Sequence, residues 1–203
     1  MVAASMVVGA YLYPSMPERV ASHWGAQGQV NGYMPRSWGL LLMPAITFIL
    51  LAFFYVIPKI DPLRGNIDSF KAHYDNFILI FTCFMTLIYL QTVLWNVGVQ
   101  VNPLTVISFG LFVLFHYSGI LLENSKRNWF IGIRTPWTLS SDAVWEKTHR
   151  MGGRMFKGCG IICLLGVILP DFAILFIIVP ILLTAVYTTV YSHLEYKKER
   201  PQG

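Results

Sequence analysis

Long hydrophobic blocks constrain the fold of this chain more than any other feature of its sequence. The longer blocks approach the roughly 20 residues that a helix needs to cross a bilayer. The blocks span residues 1–13, 39–57, 77–97, 104–122, 155–169 and 172–192. Because a helix satisfies its own backbone polar groups, an open bundle within lipid has to be helical. We therefore predict an all-α polytopic membrane protein, a bundle of about six transmembrane helices.

The composition agrees with a surface that faces lipid. Charged residues make up 12% of the 203 residues and hydrophobic residues 55%. A soluble domain usually carries about 25% charged residues, because its surface has to be solvated. We therefore expect the lipid bilayer to be the main partner of this chain and expect no soluble domain.

The first block and the last two blocks each lead to a local structural prediction. Residues 1–13 would rise only about 20 Å as a helix, which is less than the roughly 30 Å hydrocarbon core. We expect a short first span, with a five-span arrangement as the alternative. Only Pro170 and Asp171 separate the last two blocks, so these blocks should form a tight antiparallel helical hairpin.

Basic residues predict how the chain is oriented in the membrane. Thirteen of the 15 Lys and Arg residues fall on one side of the predicted spans, and Arg19 and Arg36 fall on the other. Cytoplasmic loops are enriched in Lys and Arg. We predict a multi-pass protein of the cell membrane with both termini cytoplasmic. The charge is explained by topology, so we expect no direct binding of nucleic acid.

Two loops are longer than a simple connection requires, an outer loop at residues 14–38 and an inner loop at residues 123–154. Loops of this length often carry function. A short amphipathic helix is expected from Asp142 to Met151, capped by Ser140 or Ser141. We predict that it lies in the membrane interface, with Trp145 at headgroup depth.

Few polar side chains fall inside the predicted spans. Asp and Glu are absent there, which argues against a proton-coupled pump. His116 is either a functional ionisable group or a neutral ring that is hydrogen-bonded to a neighbouring helix. Gln91 is expected to form an interhelical hydrogen bond, together with nearby threonines. Cys159 and Cys163 are expected to pack as small apolar groups, and we predict neither a metal site nor a cofactor.

The inner-loop segment 128–137 combines a turned backbone with apolar side chains. Gly132 and Pro136 favour a rigid turn, and the surrounding apolar residues are atypical of a disordered loop. We expect this segment to fold back onto the bundle or the interface, with Arg134 reaching phosphates or helix ends. Its spacing leaves open whether the role is structural or functional.

The inner loop carries a family resemblance. The pattern N-x-x-x-G-I-R-T-P-W-T-L, followed by V-W and T-H, resembles the signature of the SdpI family of bacterial immunity membrane proteins. The matching candidate residues are Asn128, Gly132, Arg134, Thr135, Pro136, Trp137, Trp145, Thr148 and His149.

The outer loop resembles a small membrane domain of unknown function that precedes the SdpI segment in that family. The pattern is P-x-x-V-x-x-H-x-x-x-x-G, and the candidate residues are Pro17, Val20, His23, Trp24 and Gly28. The resemblance implies two units. Residues 1–103 would form an N-terminal membrane domain of three spans, and residues 104–203 an SdpI-like segment of three spans.

The resemblance also implies a function that composition does not show. It implies resistance to a secreted peptide toxin, which the outer loop would meet, and signalling by sequestering a cytoplasmic repressor, which the inner loop would meet. A small-solute transporter or channel, suggested by the bundle and His116, is the alternative. A third hypothesis is an intramembrane enzyme acting on lipid, suggested by Arg134, Asp142 and His149. No catalytic motif occurs in the sequence, so we do not expect an enzyme.

Overall fold

The computed structural model describes residues 1–199, which form helices and one β-hairpin. Short 3-10 turns lie at Tyr13–Ser15 and Pro170–Phe172. The remaining elements are α1 (Val2–Leu12), β1 (Arg19–Trp24), β2 (Val30–Pro35), α2 (Arg36–Ile60), α3 (Arg64–Ser69), α4 (Lys71–Asn96), α5 (Pro103–Asn124), α6 (Pro136–Ser140), α7 (Asp142–Cys163), α8 (Leu165–Ile168) and α9 (Ala173–Glu199).

Five helical segments in the described part of the chain are long and apolar enough to cross a membrane. They are α2, α4, α5, α7 continued by α8, and α9. Large apolar side chains point outward from them, among them Phe48, Ile168 and Leu183, which are 62%, 75% and 63% exposed. Apolar exposure on this scale is expected where lipid covers the surface. The predicted class, an all-α polytopic membrane protein, is confirmed.

Helix α1 is short, as expected, and packs beside only part of α4. Its 11 residues rise about 16 Å. Met1 Sδ lies 3.9 Å from Cys83 Sγ near the middle of α4, and the Tyr89 hydroxyl donates to the Ser5 carbonyl at 3.0 Å. The first helix therefore begins at mid-bundle and runs to the end that carries the β-hairpin.

The chain passes back and forth between two ends of the bundle, which we name by their contents. The hairpin end contains the β-hairpin, the connection 97–102 and the turn before α9. The basic end contains α3, the connection 125–135, α6 and the first turns of α7. The connection 125–135 is called the clasp below. The turn before α9 is as tight as the sequence predicted, and α9 returns along α7.

Two predicted helix boundaries are wrong. Helix α2 continues through Pro58 to Ile60 and also contains Pro44, which membrane helices tolerate. The separate interfacial helix at 142–151 does not exist. Helix α7 instead runs without a break from Asp142 to Cys163, and residues 142–151 form its first turns. Trp145 is 2% exposed and lies inside the protein rather than at headgroup depth.

Glycines allow α5 and α7 to pack closely, which explains why α7 stays continuous. A Cβ atom on Gly153 would lie 2.6 Å from the Gly119 carbonyl oxygen, and one on Gly160 would lie 2.8 Å from the Phe112 carbonyl oxygen. Small residues at helix crossings let backbones approach within lipid. Gly153 therefore lies at a close crossing of α5 and α7, in the middle of a continuous helix.

The outer loop folds into a β-hairpin that the sequence did not predict. Strands β1 and β2 pair antiparallel, with Ala21 opposite Tyr33. The Asn96 side chain at the end of α4 accepts from Ala21 N at 2.7 Å and donates to Ala21 O at 3.0 Å. Val20 packs so tightly on Gly39 of α2 that no Cβ atom would fit there. An isolated hairpin is marginally stable, so these helix contacts stabilise it.

Candidate functional site

Asn128 organises the clasp from its centre. This side chain is 0% exposed. Its Oδ1 accepts hydrogen bonds from Phe130 N at 2.9 Å and Ile131 N at 2.6 Å. Its Nδ2 donates to Lys126 O and Ile131 O, both at 2.9 Å. One amide therefore satisfies four backbone groups of a connection that has no regular secondary structure.

His149 of α7 holds the clasp at Gly132. The His149 ring is 1% exposed and stacks on Trp145, with ring centroids 3.8 Å apart. Its Nε2 accepts from Ile133 N at 2.9 Å, so its Nδ1 carries the proton and donates to Trp145 O at 2.8 Å. Gly132 has φ +121°, and any Cβ there would overlap Nε2. Both ring nitrogens are used within the fold, which leaves none for a substrate or a metal ion.

A second set of contacts fastens the clasp to α9. Thr135 caps α6, accepting from Thr138 N at 3.1 Å, and its hydroxyl lies 3.0 Å from the Ser192 hydroxyl of α9. The Trp137 ring lies 4.6 Å from the His193 ring. Pro136 occupies the first position of α6, where its missing N–H costs nothing.

The charged side chains of Asp61 and Arg127 connect the clasp to neighbouring helices. Asp61 is 3% exposed, follows α2, and accepts from Leu63 N at 2.7 Å and Trp129 N at 2.8 Å. Arg127 Nε lies 2.7 Å from Asp142 Oδ1 at the start of α7. A buried carboxylate needs such donors, because an unpaired charge away from water is costly. The clasp is therefore tied to both α2 and α7.

Some clasp residues remain available to a partner. Arg134 is exposed, although it donates to Trp129 O at 2.7 Å. Trp129 is 50% exposed, and Lys126 is exposed as well. We call Lys126, Trp129 and Arg134 the basic-end patch. Thr148, by contrast, is 0% exposed, and its hydroxyl has no hydrogen-bond partner.

Polar and charged side chains also line a pocket of about 480 Å³ at the basic end, next to the clasp. Lys126, Arg127 and Arg150 face it, and so do Asp142 and Glu146. Arg127 pairs with Asp142 at 2.7 Å, and Arg150 pairs with Glu146 at 2.6 Å. The charges therefore balance largely among themselves. Asp142 and His149 line this pocket, whereas Arg134 does not.

The five outer-loop candidates differ in their exposure at the hairpin end. Pro17 and His23 are exposed, and His23 Nδ1 is hydrogen-bonded to the Asn31 side chain. Val20 is 2% exposed and packs on the bundle. Gly28 is buried with φ +75°, and a Cβ there would lie 2.8 Å from Asn102 Oδ1. The expectation that Val20 and Gly28 face a ligand outside is wrong, because both hold the hairpin on the helices.

Trp24, the fifth candidate, is the last residue of strand β1, and its ring contacts helix α4. Its ring meets Trp95 of α4 edge to face, with centroids 5.7 Å apart. Its Nε1 is buried without a hydrogen-bond partner. Trp24 lines a cavity of about 350 Å³ that the hairpin closes over α2, α4 and α5. This is the candidate ligand cavity of the hairpin end.

The polar residues of the spans are placed differently from the sequence prediction. Gln91 donates to Val101 O at 2.8 Å, in the connection that follows its own helix. Thr82, Thr86 and Thr92 each bond a carbonyl four residues back in α4. The predicted interhelical bonds are therefore wrong, because the nearest acceptor for such a threonine is its own helix. His116 Nδ1 is buried without a partner, so the bond expected for it is absent at that atom.

The two cysteines of the fifth span are buried in helix packing. Cys159 Sγ lies 3.2 Å from the Thr184 hydroxyl of α9, and Cys163 is 0% exposed. Within residues 1–199, no three His, Cys, Asp or Glu side chains gather in a way that could hold a metal ion.

Sequence reasoning missed Asp61, Asn96 and Trp129. Asp61 and Asn96 each end a span, where a lone polar residue normally indicates only a boundary. Their partners, Trp129 and Ala21, are 68 and 75 residues away in the chain. Only the fold brings these pairs together.

The bundle, the clasp and the closed hairpin define a multi-pass α-helical membrane protein with a distinct surface at each end. The model of the SdpI/YfhL protein family matches residues 124–192, which include the whole clasp and its contacts on α7 and α9. A domain of unknown function, DUF1648, matches residues 1–48, which include the hairpin.

The chain is similar to the SdpI/YfhL protein family over its C-terminal part, residues 124–192. It is similar to a protein of Bacillus subtilis (strain 168) named Immunity protein SdpI, with 27% identity over 198 residues. The alignment covers 97% of this chain and 93% of that relative. No solved structure gives a significant match.

Proposed function

We propose that this protein is a non-enzymatic immunity protein of the cell membrane that protects its cell from a secreted peptide toxin. The observation that carries the proposal is the similarity to Immunity protein SdpI, which extends over 97% of the chain. The geometry is compatible with a binding role. His149 uses both ring nitrogens inside the fold, which supports a role for this residue in ordering the clasp.

The direct test is survival of a toxin-sensitive bacterium that expresses the protein. Cells would be challenged with the secreted peptide toxin and compared with cells carrying the empty vector. We expect protection by the wild-type protein, and reduced protection by His23→Ala, because His23 is exposed on the hairpin that we place outside. Gln27→Ala, at another exposed hairpin position, is the matched control. Absence of protection, with the protein found in the membrane, would overturn the proposal.

We further propose that the basic-end patch contacts a cytoplasmic partner, by analogy a repressor held at the membrane. Lys126, Trp129 and Arg134 present two positive charges beside a half-exposed indole ring. Arg and Trp are enriched where protein interfaces concentrate their binding energy. We expect Arg134→Ala to release the partner from the membrane while protection persists. Unchanged localisation of every cytoplasmic candidate would argue against the signalling role.

The proposed orientation places the basic end in the cytoplasm. Its motivation is the excess of Lys and Arg at that end. In a variant without native cysteines, Gln27→Cys should react in intact cells with a maleimide that cannot cross the membrane. Lys126→Cys should react only after permeabilisation. Both positions are exposed, so access to the reagent depends on the side of the membrane. Labelling of Lys126→Cys in intact cells would reverse the topology.

A further inference from the structure

The charged pocket of the basic end lies where two spans leave the hydrocarbon core. Its lining includes Glu123, next to the last residue of α5, and Arg150 in the third turn of α7. Helix α5 rises about 30 Å from Pro103 to Glu123. From Arg150 to Ile168, the rise along α7 and α8 is about 27 Å. Both lengths match the roughly 30 Å hydrocarbon core of a bilayer. The pocket therefore lies at the depth of the lipid headgroups.

The cationic side chains of this pocket have N–H donors that the protein does not use. In the described part of the chain, the Lys126 ammonium forms neither an ion pair nor a hydrogen bond. Arg127 uses Nε and Nη1 in hydrogen bonds to Asp142 and to a backbone carbonyl. Arg150 is exposed and uses Nη2, which donates to Glu146. The remaining donors suit a phosphate group, which Lys and Arg commonly bind in proteins.

Two carboxylates of the same pocket each keep one free oxygen. Asp142 is paired with Arg127 through Oδ1, and Glu146 is paired with Arg150 through Oε1. Among the described residues, none contacts the second oxygens, Oδ2 and Oε2. The two side chains are 76% and 60% exposed, so a ligand can reach them. These carboxylates would repel a simple anion, whereas a primary ammonium offers them three N–H donors.

We propose that this pocket binds a phosphoethanolamine group, with its phosphate on Lys126 and the two arginines and its ammonium on Asp142 and Glu146. The volume of about 480 Å³ is within the roughly 300–1,000 Å³ typical of ligand pockets. Three cations and three carboxylates line the pocket, because Glu123 faces it as well. A zwitterion therefore matches its charge better than an anion. Phosphatidylethanolamine would present this group at headgroup depth. The inference goes beyond the proposed immunity function and does not depend on it.

Two lipids that differ only in N-methyl groups test the role of the ammonium. The full-length protein in detergent micelles would be titrated with phosphatidylethanolamine and phosphatidylcholine of identical acyl chains, and native mass spectrometry would count the bound lipids. Phosphatidylcholine keeps both charges but has no N–H donor. We expect phosphatidylethanolamine to bind about 10-fold more tightly, which is the effect of a hydrogen bond to a charged group. Equal binding of the two lipids, or tighter binding of phosphatidylglycerol, which has no ammonium, would overturn the proposal.

Soluble headgroups distinguish a lipid ligand from a free one. Glycerophosphoethanolamine carries the same two charges without acyl chains, and glycerophosphocholine is its methylated counterpart. We expect glycerophosphoethanolamine to displace phosphatidylethanolamine only at a higher concentration than that of the lipid. Displacement at an equal concentration would support the same site with a soluble ligand. Equal displacement by the two soluble headgroups would contradict recognition of the ammonium.

Matched substitutions locate the bound lipid. Glu146→Gln should reduce the preference for phosphatidylethanolamine over phosphatidylcholine about 3- to 10-fold. Asp75→Asn is its control, because Asp75 is a similarly exposed carboxylate whose i,i+4 ion pair with Lys71 lies outside the pocket. Lys126→Gln should weaken both lipids about 3- to 10-fold by removing a phosphate contact, and Lys71→Gln should weaken neither. The thermal unfolding midpoint verifies that each variant folds. An unchanged preference in folded Glu146→Gln, or the same loss in Asp75→Asn, would overturn the proposal.

Discussion

Replacing Gly132 with alanine is expected to lower the free energy of unfolding by about 3 kcal/mol, by combining backbone strain with overpacking. Gly132 has φ +121°, a conformation that residues with a Cβ rarely adopt. Its new methyl group would also overlap Nε2 of His149, the atom that accepts from Ile133 N. The measurement is equilibrium unfolding in mixed micelles with increasing sodium dodecyl sulfate.

Gly158→Ala is the matched control, because nothing lies within 4 Å of a Cβ at this position of helix α7. That substitution should leave stability unchanged or raise it by about 0.5 kcal/mol, since alanine favours a helix over glycine. Measuring the effect of Gly132→Ala both in the wild-type protein and in a His149→Ala background separates strain from overlap, because the second background lacks the ring that the new methyl group would meet. Equal stability of Gly132→Ala and Gly158→Ala would show that the clasp tolerates a different backbone conformation at residue 132.

Asn128→Ala is expected to lower the free energy of unfolding by about 3 kcal/mol, because each buried polar group left without a hydrogen-bond partner costs about 1–3 kcal/mol. The variant would leave Ile131 N, Ile131 O, Phe130 N and Lys126 O without the partner that Asn128 provides. Asn128→Asp keeps the acceptor and removes the two donors. It should be no more stable than the alanine variant, since it places a carboxylate at a fully buried position.

Asn124→Ala, at the last residue of α5 just before the clasp, provides the comparison. Asn124 is exposed, and its side chain donates to Ile120 O within helix α5 at 2.8 Å. A surface change of this kind usually alters stability by no more than about 0.5 kcal/mol. Unfolding in mixed micelles should therefore separate the two asparagines clearly. If both alanine variants unfold alike, Asn128 does not stabilise the clasp.

The clasp explains why its signature residues occur together in the sequence. Asn128 orders the backbone, Gly132 admits the His149 ring, and Thr135 joins the segment to Ser192 of α9. The hydrogen bonds of Asn128 lie within the clasp, whereas the contacts of Gly132 and Thr135 reach α7 and α9 and depend on helices that are already packed. Exposed Arg134 is the signature residue most available for a partner.

The pattern of residues in the sequence could not predict the β-hairpin or the continuous helix α7. Residues 19–35 carry no strong strand pattern, and their pairing depends on Asn96, Val20 and Gly39, which meet only in the bundle. The sequence analysis predicted an amphipathic helix at 142–151 and a separate span at 155–169, with Gly153 between them. In the fold it lies against Gly119, and the helix passes through.

The apolar blocks of the sequence were enough to predict the membrane class, the short first helix, five longer helices and the tight return before α9. Bilayer thickness and the backbone's need for internal hydrogen bonds allow few alternatives for apolar blocks of that length. Which polar residues are buried in the clasp and which line the cavity under the hairpin depends on the tertiary structure. Those placements depend on contacts such as Asp61 with Trp129 and Ala21 with Asn96, which are set by helix packing and not by local sequence.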